Sequence, residues 1–339
     1  MGKEMLISNK HMIDHKINVL TLLMYILFAG CSRSGNNTES DKIDFGLKLS
    51  PGKSYVMQLI EEDKFSSGTQ EKRADISHIK TTELGFDVKK VDDKGITFIN
   101  VTLRAMKEKT VNPYGAFEYD YTDPAIIEKT PLTRVHYSMM GKSFIIKVAS
   151  SGKLVGIDAN DLFALTAEKI VEIESKKKRL TEQNAEQRAT RLKQVIKGIK
   201  EYPHTSEEYL KDLAGNIIPF FPTRTAAAGY SWTEKVETSH WIPIPVDTEG
   251  TYTLRGNNKG TVVIEISAEN KITDKLIPES GGQASYSGNV AVKGNLKING
   301  VTGWLSNKDV KLLLEGEMKD HGRTRPISLE SSITVESVE

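Results

Sequence analysis

Three carboxylates, Glu118, Asp120 and Asp123, interleave with Tyr119 and Tyr121. Carboxylates beside aromatic rings can serve sugar hydrolysis or hold a cation. An exposed loop or edge strand has the same composition, and that is the reading the spacing favours. Gly141-Lys142-Ser143 looks like the end of a phosphate-binding loop, but His136 stands where the motif needs glycine and a strand-like stretch follows. Pro51-Gly52-Lys53-Ser54 fails in the same way, with Leu47 at the glycine position, so both read as turns. Ser285 and Ser287 lack the spacing of a nucleophile elbow. Outside the N-terminal region the histidines are His78, His136, His204, His240 and His321. No two stand at a metal-binding spacing, so they read as five unrelated residues, with no metal site and no catalytic set. Trp232, Trp241 and Trp304 read as core or rim rather than as a ligand surface.

The residue whose surroundings do specify chemistry is Cys31, the one cysteine of 339 residues. Alone, it can close no intramolecular disulfide and build no thiolate zinc cluster. Before it come Lys3, Lys10, His11, His15 and Lys16, then an uncharged apolar run over 17–30. That order is a secretory signal, and the run is shorter than the roughly 20 residues of a spanning helix. Phe28-Ala29-Gly30-Cys31-Ser32 resembles the bacterial lipobox, with Phe28 where leucine is usual and Leu27 beside it. The expected result is cleavage before Cys31 and lipid on its sulfur, so that membrane lipid is a partner through Cys31. Buried acyl chains contribute ~0.8 kcal/mol per CH₂. Ser32 in second place favours, by the same resemblance, the outer membrane in a cell that has two, with the body outside the cytoplasm.

Composition bounds the rest. Lys+Arg is 46 against Asp+Glu 45, a net charge of +1, without the basic excess of a nucleic-acid binder. The basic run Lys176 to Arg179 follows Glu172 and Glu174 and reads as a solvated helix face. Residues 1–30 are the expected signal peptide and 31–45 a flexible tether. An N-terminal β part over 46–158 opens at the Pro51-Gly52-Lys53 turn, with strands expected at 54–60, 78–91, 96–103, 144–148 and 154–157. Residues 159–213 read as two or three helices, the middle one polar between Glu174 and Arg191. Phe163, Ala167, Ile170 and Ile173 fall at helical spacing, as do Leu192, Val195, Ile196 and Ile199. A C-terminal β part over 214–339 carries strand patterns at 230–233, 250–254 and 261–266. More follow the Gly281-Gly282 pair at 284–292, 294–298, 301–305, 310–318 and 327–335. The plan is an α+β fold: a large curved antiparallel sheet covered by a central helical segment, with two β halves as the open alternative.

Several segments resemble a bacterial lipoprotein family known as a domain of unknown function, number 6263. They are Pro51-Gly52-Lys53-Ser54-Tyr55, Gly141-Lys142-Ser143-Phe144 leading to Ser151-Gly152-Lys153-Leu154, Pro219-Phe220-Phe221-Pro222, Gly229-Tyr230-Ser231-Trp232, and Thr251-Tyr252-Thr253-Leu254. The resemblance spans most of residues 46–335 and implies no activity, cofactor or catalytic residue. The leading expectation is a non-catalytic envelope lipoprotein whose sheet holds an apolar ligand or an envelope protein partner. The alternative is an envelope hydrolase using Glu118, Asp120 or Asp123.

Overall fold

The computed structural model describes residues 42–69, 73–178, 185–236, 244, 246, 248–277 and 284–338. Cys31 and its surroundings, His240, Trp241 and the Gly281-Gly282 pair lie outside those residues. Long strands carry most of the chain: β2 (Ser54–Ser67), β3 (Ala74–Val91) and β4 (Thr97–Asn112), then the short β5 (Gly115–Asp120), β6 (Ser143–Val148) and β7 (Leu154–Asp158). The C-terminal part supplies β9 (Ser231–Lys235), β10 (Glu249–Asn258), β11 (Thr261–Leu276), β12 (Ala284–Asn299), β13 (Leu305–Asp320) and β14 (Arg323–Ser337). All join one 12-stranded sheet in the order β7-β6-β4-β3-β2-β14-β13-β12-β11-β10-β9, with β5 on β4. Every pairing is antiparallel, and β2 on β14 welds the two β parts into that sheet. The end strands β7 and β9 do not pair with each other among the described residues.

The sheet is strongly curved. Leu47 N–H donates to Ser150 O in the β6–β7 turn, and Lys48 N–H to Thr302 O in the β12–β13 turn. Those turns belong to strands five places apart, roughly 24 Å on a flat sheet at ~4.8 Å per strand. Two consecutive residues bridge them, so this end of the sheet curls on itself. Glycines permit the closeness. Gly152 (φ +81°) and Gly303 (φ +71°) leave no room for a Cβ, which would lie 1.8 Å from Pro219 O and 2.1 Å from Gly46 O respectively.

The chain enters the core earlier than a tether over 31–45 allows. β1 (Ile43–Asp44) pairs with β8 (Thr225–Ala226), and buried Phe45 stacks on Phe221 at 5.3 Å. The strand expected over 301–305 is instead a turn before β13. Asn299 Oδ1 accepts from the N–H groups of Val301 and Thr302, and Val301 is exposed. Residues 284–292 and 294–298, read as two strands, are one.

The helices expected over 159–213 are α2 (Asn160–Lys178), α3 (Ala185–Glu201) and α4 (Glu207–Gly215). The polar stretch 174–191 is not a helix of its own: α2 and α3 share it, and residues 179–184 lie outside the description. Ile199 is buried while Leu192, Val195 and Ile196 pack half-buried on the core, the ordinary role for a helical stripe. The sequence reading missed α1 (Pro131–Met139). Thr130 caps it, accepting from Thr133 N–H at 3.1 Å, and Pro131 occupies the first turn. None of the described helices is long and apolar enough to cross a membrane.

Candidate functional site

Alternation along β2 puts Met57, Leu59, Glu61, Asp63 and Phe65 on one face, all buried. The same face of β3 carries His78, Lys80, Thr82 and Leu84. On β4 the buried positions run Ile99, Val101, Leu103 and then Met106, because Arg104 is an extra residue in the pairing with β3. This bulge changes the parity of the strand and turns Glu108 to the inner face. Cross-strand register then sets Glu61 beside Lys80 and Lys80 beside Glu108, with Asp63 beside His78 in the next row. A band of charge crosses three strands where the apolar pattern would otherwise continue.

These groups hold one another. His78 Nε2 lies 3.1 Å from Glu108 Oε1, and its Nδ1 3.8 Å from Asp63 Oδ2. Tyr121 O–H donates to Glu108 Oε2 at 2.6 Å, and Lys80 Nζ donates to Tyr209 Oη at 2.5 Å. Burial opposes the charge on His78, yet hydrogen bonds with Asp63 and Glu108 raise its pKa. Burial pushes Glu108 upward, but its bonds to His78 and Tyr121 prevail and leave it at about 2. For Lys80 burial is again outweighed, by Tyr209 and the carboxylates of Glu61 and Glu108, so its pKa is raised.

α1 and the loop before α4 roof this band. His136, His204, Leu132 and Tyr202 join Glu61, His78, Lys80 and Glu108 around a polar cavity of about 200 Å³. The histidines are therefore not five unrelated residues. Folding brings three together, while His321 sits exposed beside Asp320 at 2.6 Å. Sequence spacing could not show this, because the three sit on separate elements. Even so, no group of three or more His, Cys, Asp or Glu among the described residues is arranged to hold a metal ion.

His136 is the odd member. Its ring meets Tyr121 edge-on at 4.8 Å, its Nε2 lies 3.3 Å from His204 O, and its Nδ1 has no hydrogen-bond partner. Burial, assisted by the Lys80 charge, lowers its pKa to about 4. An imidazole whose pKa is 6.5 when unfolded and about 4 in the fold contributes stability that is present in full above 6.5. That contribution is lost as pH falls toward 4, and it amounts to ~3 kcal/mol at 1.36 kcal/mol per unit. Urea midpoints should therefore drop between pH 6.5 and 4.5 in the wild type. His136→Gln should flatten that slope, and an unchanged slope would assign it elsewhere. Glu108 acts at lower pH, with stability lost from about 4.5 down through 2.

A second space adjoins the first and shares Leu132 and Tyr202 with it. It is a cleft of about 380 Å³ between α1, α2 and α3, walled by Leu132, Val135, Ile170, Val195 and Ile199. Gly198 of α3 lines it, and a Cβ there would meet nothing within 4 Å. Interior helical glycine costs about 1 kcal/mol against alanine. No neighbour's close approach explains this one: Gly198 is exposed, and a side chain there would have open space beside the cleft lining. At the Arg191 end, Glu174 takes Nε and Nη2 of Arg191 at 3.0 and 2.8 Å, with Arg134 Nη1 at 3.8 Å.

The remaining sequence candidates separate. Glu118 and Asp120 lie on β5, facing Lys109 at 3.9 Å and Lys107 at 3.2 Å as cross-strand pairs, and Asp123 accepts from Ala125 N–H. They form no facing pair. Gly141 (φ +75°) is a turn residue, and Lys142 Nζ is spent on Ser138 O. Trp304 is core, stacked on Tyr55 at 4.6 Å; Trp232 lies between Tyr230 and Tyr252 on edge strand β9. Leu47, Leu213, Ile217, Ile218 and Phe221 pack in the core under the sheet, where a small space of about 90 Å³ remains beside Ile217, Ile218, Trp232 and Leu305; the roomier cleft is the one in the helical layer.

The model of DUF6263, described as a family of unknown function, matches residues 94–305. No curated protein matches. Among solved structures, lipovitellin, studied for its lipid–protein interactions, is similar at TM-score 0.46 and 8% identity, over 86% of this chain and 26% of its own. DynF of the dynemicin pathway of Micromonospora chersina gives 0.17 at 6% identity, over 88% and 92%. OccK7 of Pseudomonas aeruginosa gives 0.22 at 7%, over 85% and 99%. These scores are too low to define a shared fold.

Proposed function

The chain belongs to DUF6263, a family of unknown function, and from that starting point we propose a non-catalytic, lipid-anchored binding protein of the cell envelope. It seats a small apolar ligand in the cleft between α1, α2 and α3. The observation that carries this reading is the cleft itself: aliphatic walls, a volume of about 380 Å³ within the range of small-molecule sites, and a helical glycine that leaves it open. Catalysis in the neighbouring polar cavity has less support. A general acid or base works best with a pKa near the ambient pH. Glu108 is held at about 2 and His136 at about 4, while His78 is clamped between two carboxylates.

The anchor is Cys31, through which membrane lipid is the first partner, in the outer membrane where a cell has two. The near-neutral charge gives no reason to add a nucleic acid. A protein partner in the envelope is the second reading, favoured by the aromatic ladder of Tyr230, Trp232 and Tyr252 beside an edge of β9 that pairs with no strand among the described residues.

One experiment addresses both parts, using the full chain as wild type, Cys31→Ser and Gly198→Leu with the apolar fluorophore N-phenylnaphthylamine. The wild type should stay with membranes through a salt wash and Cys31→Ser should leave them, both binding the probe. Gly198→Leu should remain anchored and folded but lose the probe. Cys31→Ser retained on membranes would refute the anchor, and a Gly198→Leu chain that binds fully would refute the cleft.

A further inference from the structure

One end of the cleft is charged, and its charges do not balance. Arg191 and Glu174 are paired through two bonds, both carboxylate oxygens being taken. Arg134 lines the same cleft with its side chain only 21% exposed, and its nearest approach to Glu174 is 3.8 Å. Its Nε is buried and has no hydrogen-bond partner. A guanidinium has five N–H donors, and one buried without an acceptor is costly. Among the described residues of the lining, two arginines against one glutamate leave a surplus positive charge at this end. Thr130 and Pro131, at the N-terminal and electropositive end of α1, belong to the same lining.

Resting on the proposed cleft, we infer that its ligand is a long-chain carboxylate whose head group is held by Arg134. The acyl chain lies along α3 past Val195 and Gly198 toward Tyr202. Residues 191 to 202 span ~16 Å at 1.5 Å rise, a length that suits a chain of roughly a dozen carbons. The carboxylate reaches the part of the Arg134 side chain that stays exposed and neutralises the surplus charge. A guanidinium receives it through two parallel bonds, a geometry an alcohol cannot match and an ammonium opposes. Gly198 leaves the width that methylene groups fill.

Equilibrium dialysis of the full chain against dodecanoate, dodecanol and dodecyltrimethylammonium separates the head group from the tail. Dodecanoate should bind ten-fold or more tighter than dodecanol, with the cation weakest. Arg134→Gln should bring dodecanoate to the level of dodecanol while dodecanol binds as before, which also reports an intact fold. Equal binding of acid and alcohol, preference for the cation, or an Arg134→Gln chain that keeps its preference for the acid would overturn the carboxylate and leave the cleft standing. If none of the three binds, or Gly198→Leu binds all as the wild type does, the cleft itself is wrong and this inference falls with it.

Discussion

Lys80→Met should remove ~3–5 kcal/mol of stability, the range seen when one member of a buried charge set is lost. Lys80 is 7% exposed and stands in register between Glu61 and Glu108. Methionine fills much the same volume, so packing changes little. What changes is that two carboxylates face each other across β3 without the cation between them, and Tyr209 loses the ammonium that donates to it. Adding Glu61→Leu should recover part of the loss, because it removes one of the stranded charges. Urea unfolding of the single and double variants measures both numbers. A loss under about 1 kcal/mol for Lys80→Met would mean that the band is screened by water and is not a closed network.

Gly152→Ala should be as damaging or worse, above about 4 kcal/mol or failing to fold, which is exceptional for a single methyl group. A left-handed residue other than glycine costs roughly 1–2 kcal/mol by itself. Gly95→Ala isolates that part: its φ is +76°, close to the +81° of Gly152, and a Cβ there meets nothing within 4 Å. At Gly152 the added carbon would lie 1.8 Å from Pro219 O, a backbone atom that cannot swing aside. The difference between the two variants is the price of prising the β6–β7 turn from the segment before Phe221, which donates its N–H to Ser151 O. Equal melting temperatures for the pair would show that the turn yields freely.

The scaffold was legible where residue types repeat. Strand patterns marked β3 and the start of β4, Pro51-Gly52-Lys53 marked a turn, and the stripe at 192, 195, 196 and 199 marked α3. The site was hidden by the same rule. Glu61 and Asp63 continue the buried face of Leu59 toward Phe65, but a charged run reads as surface, so the sequence pattern ends β2 at Ile60. His78 and Lys80 point inward while Ile79 is exposed, the reverse of what hydropathy implies. Glu108 reaches the cavity only through an irregularity that no composition rule announces. α1 did carry a readable signal: Thr130 before Pro131, with Thr133 three places on, is a helix start. The cleft depends on three helices meeting, which no local pattern in the sequence announces.

The extra residue at Arg104 makes β4 a strand written in two phases. Up to Leu103 the odd-numbered residues face the interior; from Met106 the even-numbered ones do. A strand drawn straight at that point, with Arg104 paired instead of bulged, would hold a single phase throughout. Lys107 and Lys109 would then rotate inward against Lys80, and Glu108 would turn to solvent, leaving His78 without its nearer carboxylate. The sign of the electric field inside this protein thus hangs on one bulge, with every residue of the chain unchanged.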